Sequence, residues 1–128
     1  MINYQQLVSD ALKIIEEISV NELSQLRSKQ KIHLLDIREA DEVAKGVIPS
    51  SIWIPRGLLE FQILLLIEQV NWNPDDEIYI CCRSGNRSAL AGVALLDMGF
   101  KKPVSVAGGF NAWRDSGYDF TQEVLHFQ

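Results

Sequence analysis

The segment Glu77-Ile78-Tyr79-Ile80-Cys81-Cys82-Arg83-Ser84-Gly85-Asn86-Arg87-Ser88 decides how the rest of the chain is read. Its first half is a short apolar run, the pattern of a buried strand. Its second half is polar and contains glycine, and Ser88 to Met98 then follow a helical pattern. A cysteine therefore stands where a strand ends and a helix is about to begin. Backbone N–H groups of such a turn, joined by those of the first helical turn, converge on a small anion site. The same field, with Arg83 and Arg87 close by, favours the Cys82 thiolate over the thiol. Side chains alternate across a strand, so Cys81 faces away from Cys82. Cys81 accordingly reads as a buried apolar residue, and the two cysteines are not an evident redox pair.

Upstream, Tyr4, Leu7, Val8, Ala11, Leu12, Ile15 and Ile18 recur at helical spacing, which predicts an amphipathic helix over residues 1–17 and a very short strand at Ile18-Ser19. A helix over Val20–Ser28, a strand over Ile32–Ile37, a helical turn from Glu39 to Lys45 and a strand at Ser51–Ile54 follow. Then come a helix from Leu58 to Val70 and a turn at Asn73-Pro74-Asp75-Asp76. Downstream, Gly99 closes the helix after the loop, and Val104-Ser105-Val106 reads as a strand. Gly108-Gly109 introduces a short helix from Asn111 to Asp115. No repeat or linker interrupts this series, so residues 1–120 read as one domain and 121–128 as a short tail with weak packing signals. Apolar strands alternating with helices predict an α/β fold whose mostly parallel sheet is covered on both faces. In such folds ligands bind beyond the carboxyl ends of the strands. Cys82 lies at one such end, while Asp36 and Arg38 lie at another. His33, at the start of its strand, reads as structural or solvent-facing.

Composition narrows the function classes. The net charge of −5 opposes binding to nucleic acid, and no basic patch with interleaved aromatics is present. Two adjacent cysteines and two histidines supply neither a disulfide framework nor a metal site, so no metal or resident cofactor is expected. The start, Met1-Ile2-Asn3-Tyr4-Gln5-Gln6, has no basic and apolar signal pattern. The greasiest run, Ile63 to Ile67, is far too short to span a bilayer. These features fit a cytoplasmic protein with no membrane partner, in a compartment that keeps thiols reduced.

Three motifs carry a resemblance to the rhodanese family of sulfurtransferases in its single-domain form. They are Leu35-Asp36-Ile37-Arg38-Glu39 with Glu42 and Gly46-Val47-Ile48-Pro49; Cys82 to Ser88; and Val104, Gly108-Gly109, Trp113 and Gly117. The resemblance implies a three-layer α/β/α fold around a five-stranded sheet, and a buried Trp113. It also implies a mechanism in which Cys82 carries a transient persulfide between a donor and a thiophilic acceptor. Donors would be thiosulfate, polysulfide or another persulfide, and the acceptor a thiol or a protein. Arg83, Ser84, Gly85, Asn86, Arg87 and Ser88 would form the anion-binding loop. Arg83 would meet the charged end of the donor, and Arg87 would balance charge or pair with Asp36. Ser88 reads equally as a hydrogen-bond donor to the site and as the N-cap of the next helix. Asp36 and Arg38 would support the loop, and Arg56 is a candidate for the rim. The loop has six residues from Cys82 to Arg87, against seven in related phosphatases and arsenate reductases, which disfavours both activities. A sulfur carrier serving a dedicated enzyme and a catalytically idle binding module remain alternatives. Two departures, Val47 where the family often has histidine and Ser50-Ser51 in place of Gly-Ala, predict altered packing near the first crossover.

Overall fold

The apolar run becomes β4 (Glu77–Cys81), a central strand of the sheet. The computed structural model describes residues 1–126. In it β1 (Glu16–Ile18), β2 (His33–Asp36), β3 (Ile52–Trp53), β5 (Lys102–Val106) and β6 (Leu125–His126) assemble with β4 in the order β1-β5-β4-β2-β3-β6. All five pairings are parallel. The helices are α1 (Tyr4–Leu12), α2 (Val20–Lys29), α3 (Ala40–Val43), α4 (Leu59–Val70), α5 (Asn86–Asp97) and α6 (Gly109–Asp115), with a 3₁₀ turn at Arg56–Leu58.

Alternation along β2 and β4 builds two separate cores. Leu35, Ile37, Ile78, Ile80 and Cys82 face α4 and α5, where they meet Leu59, Ile63, Leu66, Ala91 and Leu95. Leu34, Tyr79 and Cys81 face the other side, against Leu23 of α2 and Phe110 and Trp113 of α6. This is the three-layer arrangement. Fully burying each such Leu or Ile contributes about 1.5–3 kcal/mol relative to exposure, which is what holds short helices on the sheet. Trp113 is 2% exposed, and its indole N–H donates to the Asp119 carbonyl at 2.7 Å. It fixes the seven-residue α6, a length too short to persist alone.

The structure differs from the sequence-based expectation at both ends. The helix expected over residues 1–17 stops at Leu12. Val8, Ala11 and Ile15 pack with Ala89 against α5, and Gly92 of α5 leaves the space that the Ile15 side chain fills. Glu16–Ile18 then runs beside Val104–Val106 as an edge strand. Helical spacing of apolar residues continued through Ile18, but ladder hydrogen bonds to β5 outweigh it. At the other end, the sheet has six strands where five were expected. Leu125 and His126 lie beside Ile52 and Trp53, and Thr121 exchanges backbone hydrogen bonds of 2.8 and 3.0 Å with Val47. Backbone pairing recruits this segment, and backbone groups leave no trace in a side-chain pattern.

Near the first crossover, Ser50 adopts φ +71°, a left-handed conformation that suits glycine. The Ser51 hydroxyl is buried and donates to the Ile48 carbonyl at 2.7 Å. From β2 the chain steps outward to β3, then crosses back past β2 to β4 and on to β5. The loops following β2 and β4 therefore part in opposite directions, and open parallel sheets bind ligands at such a place.

Candidate active site around Cys82

Cys82 follows the last residue of β4 and is 1% exposed. The chain turns sharply behind it because Gly85 takes φ +99°, and α5 begins at Asn86, two residues before the expected Ser88. The turn brings the Gly85 N–H to 3.0 Å from the Cys82 Sγ. Ser88 is not the N-cap. It sits in the first turn of α5, fully buried, with its Oγ 3.3 Å from the sulfur and 2.7 Å from the Ser105 Oγ of β5. Parallel register sets Ser105 opposite Ile80, two residues before Cys82.

The loop is braced from behind by α6. The Phe110 N–H donates to the Cys82 carbonyl at 2.8 Å, and the Asn111 N–H to the Arg83 carbonyl at 3.0 Å. This approach requires glycine at 109, because a Cβ there would collide with the carbonyl groups of Cys82 and Arg83. A second brace is ionic. Both terminal nitrogens of Arg87 reach the two carboxylate oxygens of Glu42 at 2.9 Å. Glu42 in turn accepts from the Glu39 N–H at 3.0 Å and completes the capping box of α3. The hydrogen bond from Arg87 holds the Glu42 carboxyl below the usual range, and the same bond raises the Arg87 pKa.

Pairing with Asp36, one of the two roles suggested for Arg87, does not occur. Arg38, two residues further along the same loop, occupies the Asp36 carboxylate through contacts of 2.8–3.1 Å from Nε and a terminal nitrogen. Arg38 also donates to the Gly46 carbonyl at 2.7 Å and lies 4.4 Å above the Phe110 ring. The Asp36–Arg38 pair is buried and ties the end of β2 to both α3 and α6. Cys81 points into the opposite core, where burial pushes its thiol pKa well up. His33 lies at the far end of the sheet, stacked on Trp72 and 3.0 Å from Asp76.

Arg83, Ser84 and Asn86 are exposed on the outer side of the turn. Arg83 borders a cleft of about 280 Å³ together with Lys45, Asn111 and Arg114. Arg56 turns toward Glu60 at 2.7 Å, along the start of α4, while its backbone N–H donates to the Ile37 carbonyl at 3.0 Å. The structure thus gathers Cys82, Gly85 and Ser88 closely, sets Arg87 and the Asp36–Arg38 pair around them as braces, and engages Arg56 elsewhere. Ser105 and Glu42 had no role in the sequence reading. A lone serine between two valines, and a glutamate three residues after Glu39, were the available signals. Among the described residues no helix is long and apolar enough to cross a membrane.

The family described as Rhodanese-like domain matches residues 19–116, and the chain belongs to it. Thiosulfate sulfurtransferase 18 of Arabidopsis thaliana is 34% identical over 92% of this chain and 93% of its own length. A Bacillus subtilis protein named "Putative sulfur carrier protein YrkF" is 37% identical over 82% of this chain, which spans about half (54%) of that relative. Among solved structures, a Rhodopseudomonas palustris protein of unknown function, described as a possible tyrosine phosphatase, superposes with a TM-score of 0.82. It is 28% identical, with 94% of this chain and 96% of that one covered. The relatives' names thus place the chain in a family of sulfurtransferases and sulfur carriers.

Proposed function

We propose that this protein is a sulfurtransferase in which Cys82 is the nucleophile and carries a transient persulfide. The observation that carries the reading is the cradle at the sulfur, with the Gly85 N–H at 3.0 Å and the Ser88 hydroxyl at 3.3 Å. The Gly85 N–H donates to the sulfur, and the Ser88 Oγ, which accepts from the thiol, is in place to donate once the sulfur is an anion. In the first half-reaction the Cys82 thiolate attacks the sulfane sulfur of thiosulfate. A Cys82–S bond forms, the sulfur–sulfur bond of the donor breaks, and sulfite leaves with the electron pair. In the second, an acceptor such as cyanide or a thiolate attacks the outer sulfur and Cys82 departs as thiolate. The pathway is covalent nucleophilic catalysis, with one bond made and one broken in each step.

Arg83, exposed beside the loop and flanked by Lys45 and Arg114, meets the charged end of an anionic donor. Arg87 holds the loop through Glu42. Cys82 is almost wholly covered, and the six-residue loop closes on a single sulfur more readily than on a tetrahedral oxyanion. That argues against phosphatase or arsenate reductase chemistry. Delivery of the outer sulfur to a protein acceptor is a second reading, favoured by the relative named as a sulfur carrier.

Turnover by the purified protein tests the proposal. Thiosulfate and cyanide should yield thiocyanate with the wild type and with C81S, and none with C82S. Loading without turnover, followed by discharge to a thiol or a partner protein, would mark a carrier. Full activity in C82S would remove the proposal.

A further inference from the structure

We propose that Ser105, on β5 and outside the loop motif, is a positioning residue that aims the Ser88 hydroxyl at the Cys82 sulfur. The inference deepens the sulfurtransferase reading and rests on Cys82 as its nucleophile. Ser88 and Ser105 are both completely buried. The Ser105 Oγ has two polar neighbours, the Ser88 Oγ at 2.7 Å and the Gly85 carbonyl at 3.4 Å. The first is an ideal O–H···O length, and the second lies beyond the good range.

Two directions of donation satisfy this chain of hydroxyls. With a protonated sulfur, the thiol donates to Ser88, Ser88 to Ser105, and Ser105 to the distant Gly85 carbonyl. With an ionised sulfur, Ser105 donates to Ser88 and Ser88 to the sulfur, which also receives the Gly85 N–H. The 2.7 Å bond survives in both. The second direction surrenders only the 3.4 Å contact and gains a charge-assisted bond. Ser105 therefore sets the hydroxyl direction that suits the thiolate before attack, and again when the outer sulfur has left. Ionisation sends the sulfur's own proton to solvent, and the two serines keep theirs. Without Ser105, the Ser88 hydroxyl loses its 2.7 Å partner and is free to rotate away from the sulfur.

The charged groups around the cradle do not depend on this chain. Arg87 of α5 is held by Glu42 of α3, Asp36 of β2 is held by Arg38, and Cys81 of β4 is kept neutral by burial in the other core. Trimming a hydroxyl on β5 leaves those pairs in place, so its effect reports the hydroxyl chain.

The test is the rate of Cys82 alkylation by iodoacetamide across pH, in a C81S background. It uses wild type, Ser88→Ala, Ser105→Ala, Ser105→Thr and the double alanine variant, each with a thermal melt. At pH 7 the rate should fall about tenfold in Ser88→Ala, as expected for loss of a hydrogen bond to a charged group. In Ser105→Ala it should fall about threefold, because that bond is weakened rather than removed. At pH 10 all rates should converge, and Ser105→Thr should restore most of the loss. The double variant should match Ser88→Ala, since Ser105 has no other route to the sulfur. A Ser105→Ala profile coincident with wild type overturns the proposal, as does a loss equal at pH 7 and pH 10. So does a Ser105→Ala effect that persists undiminished without Ser88. Should Ser88→Ala not fold, the Ser105→Ala and Ser105→Thr pair still decides. Alkylation needs no sulfur donor, so this outcome stands apart from success or failure of sulfur transfer.

Discussion

Replacing Arg87 by alanine separates a brace from a substrate contact. The substitution removes two 2.9 Å charge-assisted bonds to Glu42, whose other duty is to cap α3. The side chains are 31% and 22% exposed, so the pair lies between the surface and buried regimes. Surface pairs contribute roughly 0–1 kcal/mol, and breaking a buried pair costs about 3–5 kcal/mol. Partial solvent screening places R87A near the lower end, at a loss of about 1–2 kcal/mol. For a chain of this size that corresponds to a drop of roughly 4–8 °C in melting temperature. The pH dependence has a definite sign. The folded-state pKa of Glu42 is depressed by Arg87, so the pair's contribution is full above the ordinary carboxylate range. It fades as pH falls through the depressed value. Melts of wild type and R87A should therefore differ most at pH 7 and converge as the pH falls below the ordinary carboxylate range. Sulfur loading should slow in parallel, because the first turn of α5 carries Ser88. Identical melts at pH 7, or a difference that does not shrink in acid, would refute the bracing role.

Other substitutions probe separate parts of the account. W113A should lose about 3–5 kcal/mol, measured by denaturant titration, because a fully packed indole and its hydrogen bond to Asp119 disappear together; a loss below about 1 kcal/mol would contradict the packing. S50G should gain up to about 1 kcal/mol by relieving φ +71°, and a destabilised S50G would show that the Ser50 hydroxyl, 3.5 Å from Arg27, matters more than the backbone. R83A should raise the KM for thiosulfate several-fold with little change in melting temperature, since Arg83 is exposed and has no ion-pair partner among the described residues; an unchanged KM would remove its role toward the donor.

The central strand, the loop and the buried tryptophan were legible because each has a local signature. An apolar run ends in Cys82, glycine permits the turn, and Gly108-Gly109 precedes Trp113. The opposite facing of Cys81 and Cys82 followed from strand alternation alone, and the two cores confirm it. Partner choice was less legible. Asp36 was the carboxylate suggested for Arg87, but the close reach of Arg38 takes it, and Arg87 pairs with Glu42 instead. The starting point of α5 depended on the φ of Gly85, which moved Ser88 from the cap into the first turn. Ser105 joins the site through strand register, a long-range property that no window around Cys82 contains. β6 was missed, and the edge strand β1 was expected at Ile18-Ser19 where it runs Glu16–Ile18, for the same reason, since ladder pairing is made by backbone groups common to all residues.

Intact-mass measurement after brief exposure to thiosulfate or polysulfide tests the central claim most directly. The persulfide account predicts a gain of about 32 Da, one sulfur atom held covalently on the nucleophile. Peptide mapping should place it on Cys82; C81S should retain it, C82S should lose it, and cyanide should discharge it. A sulfur adduct mapped to Cys81, or retained in C82S, would contradict the account.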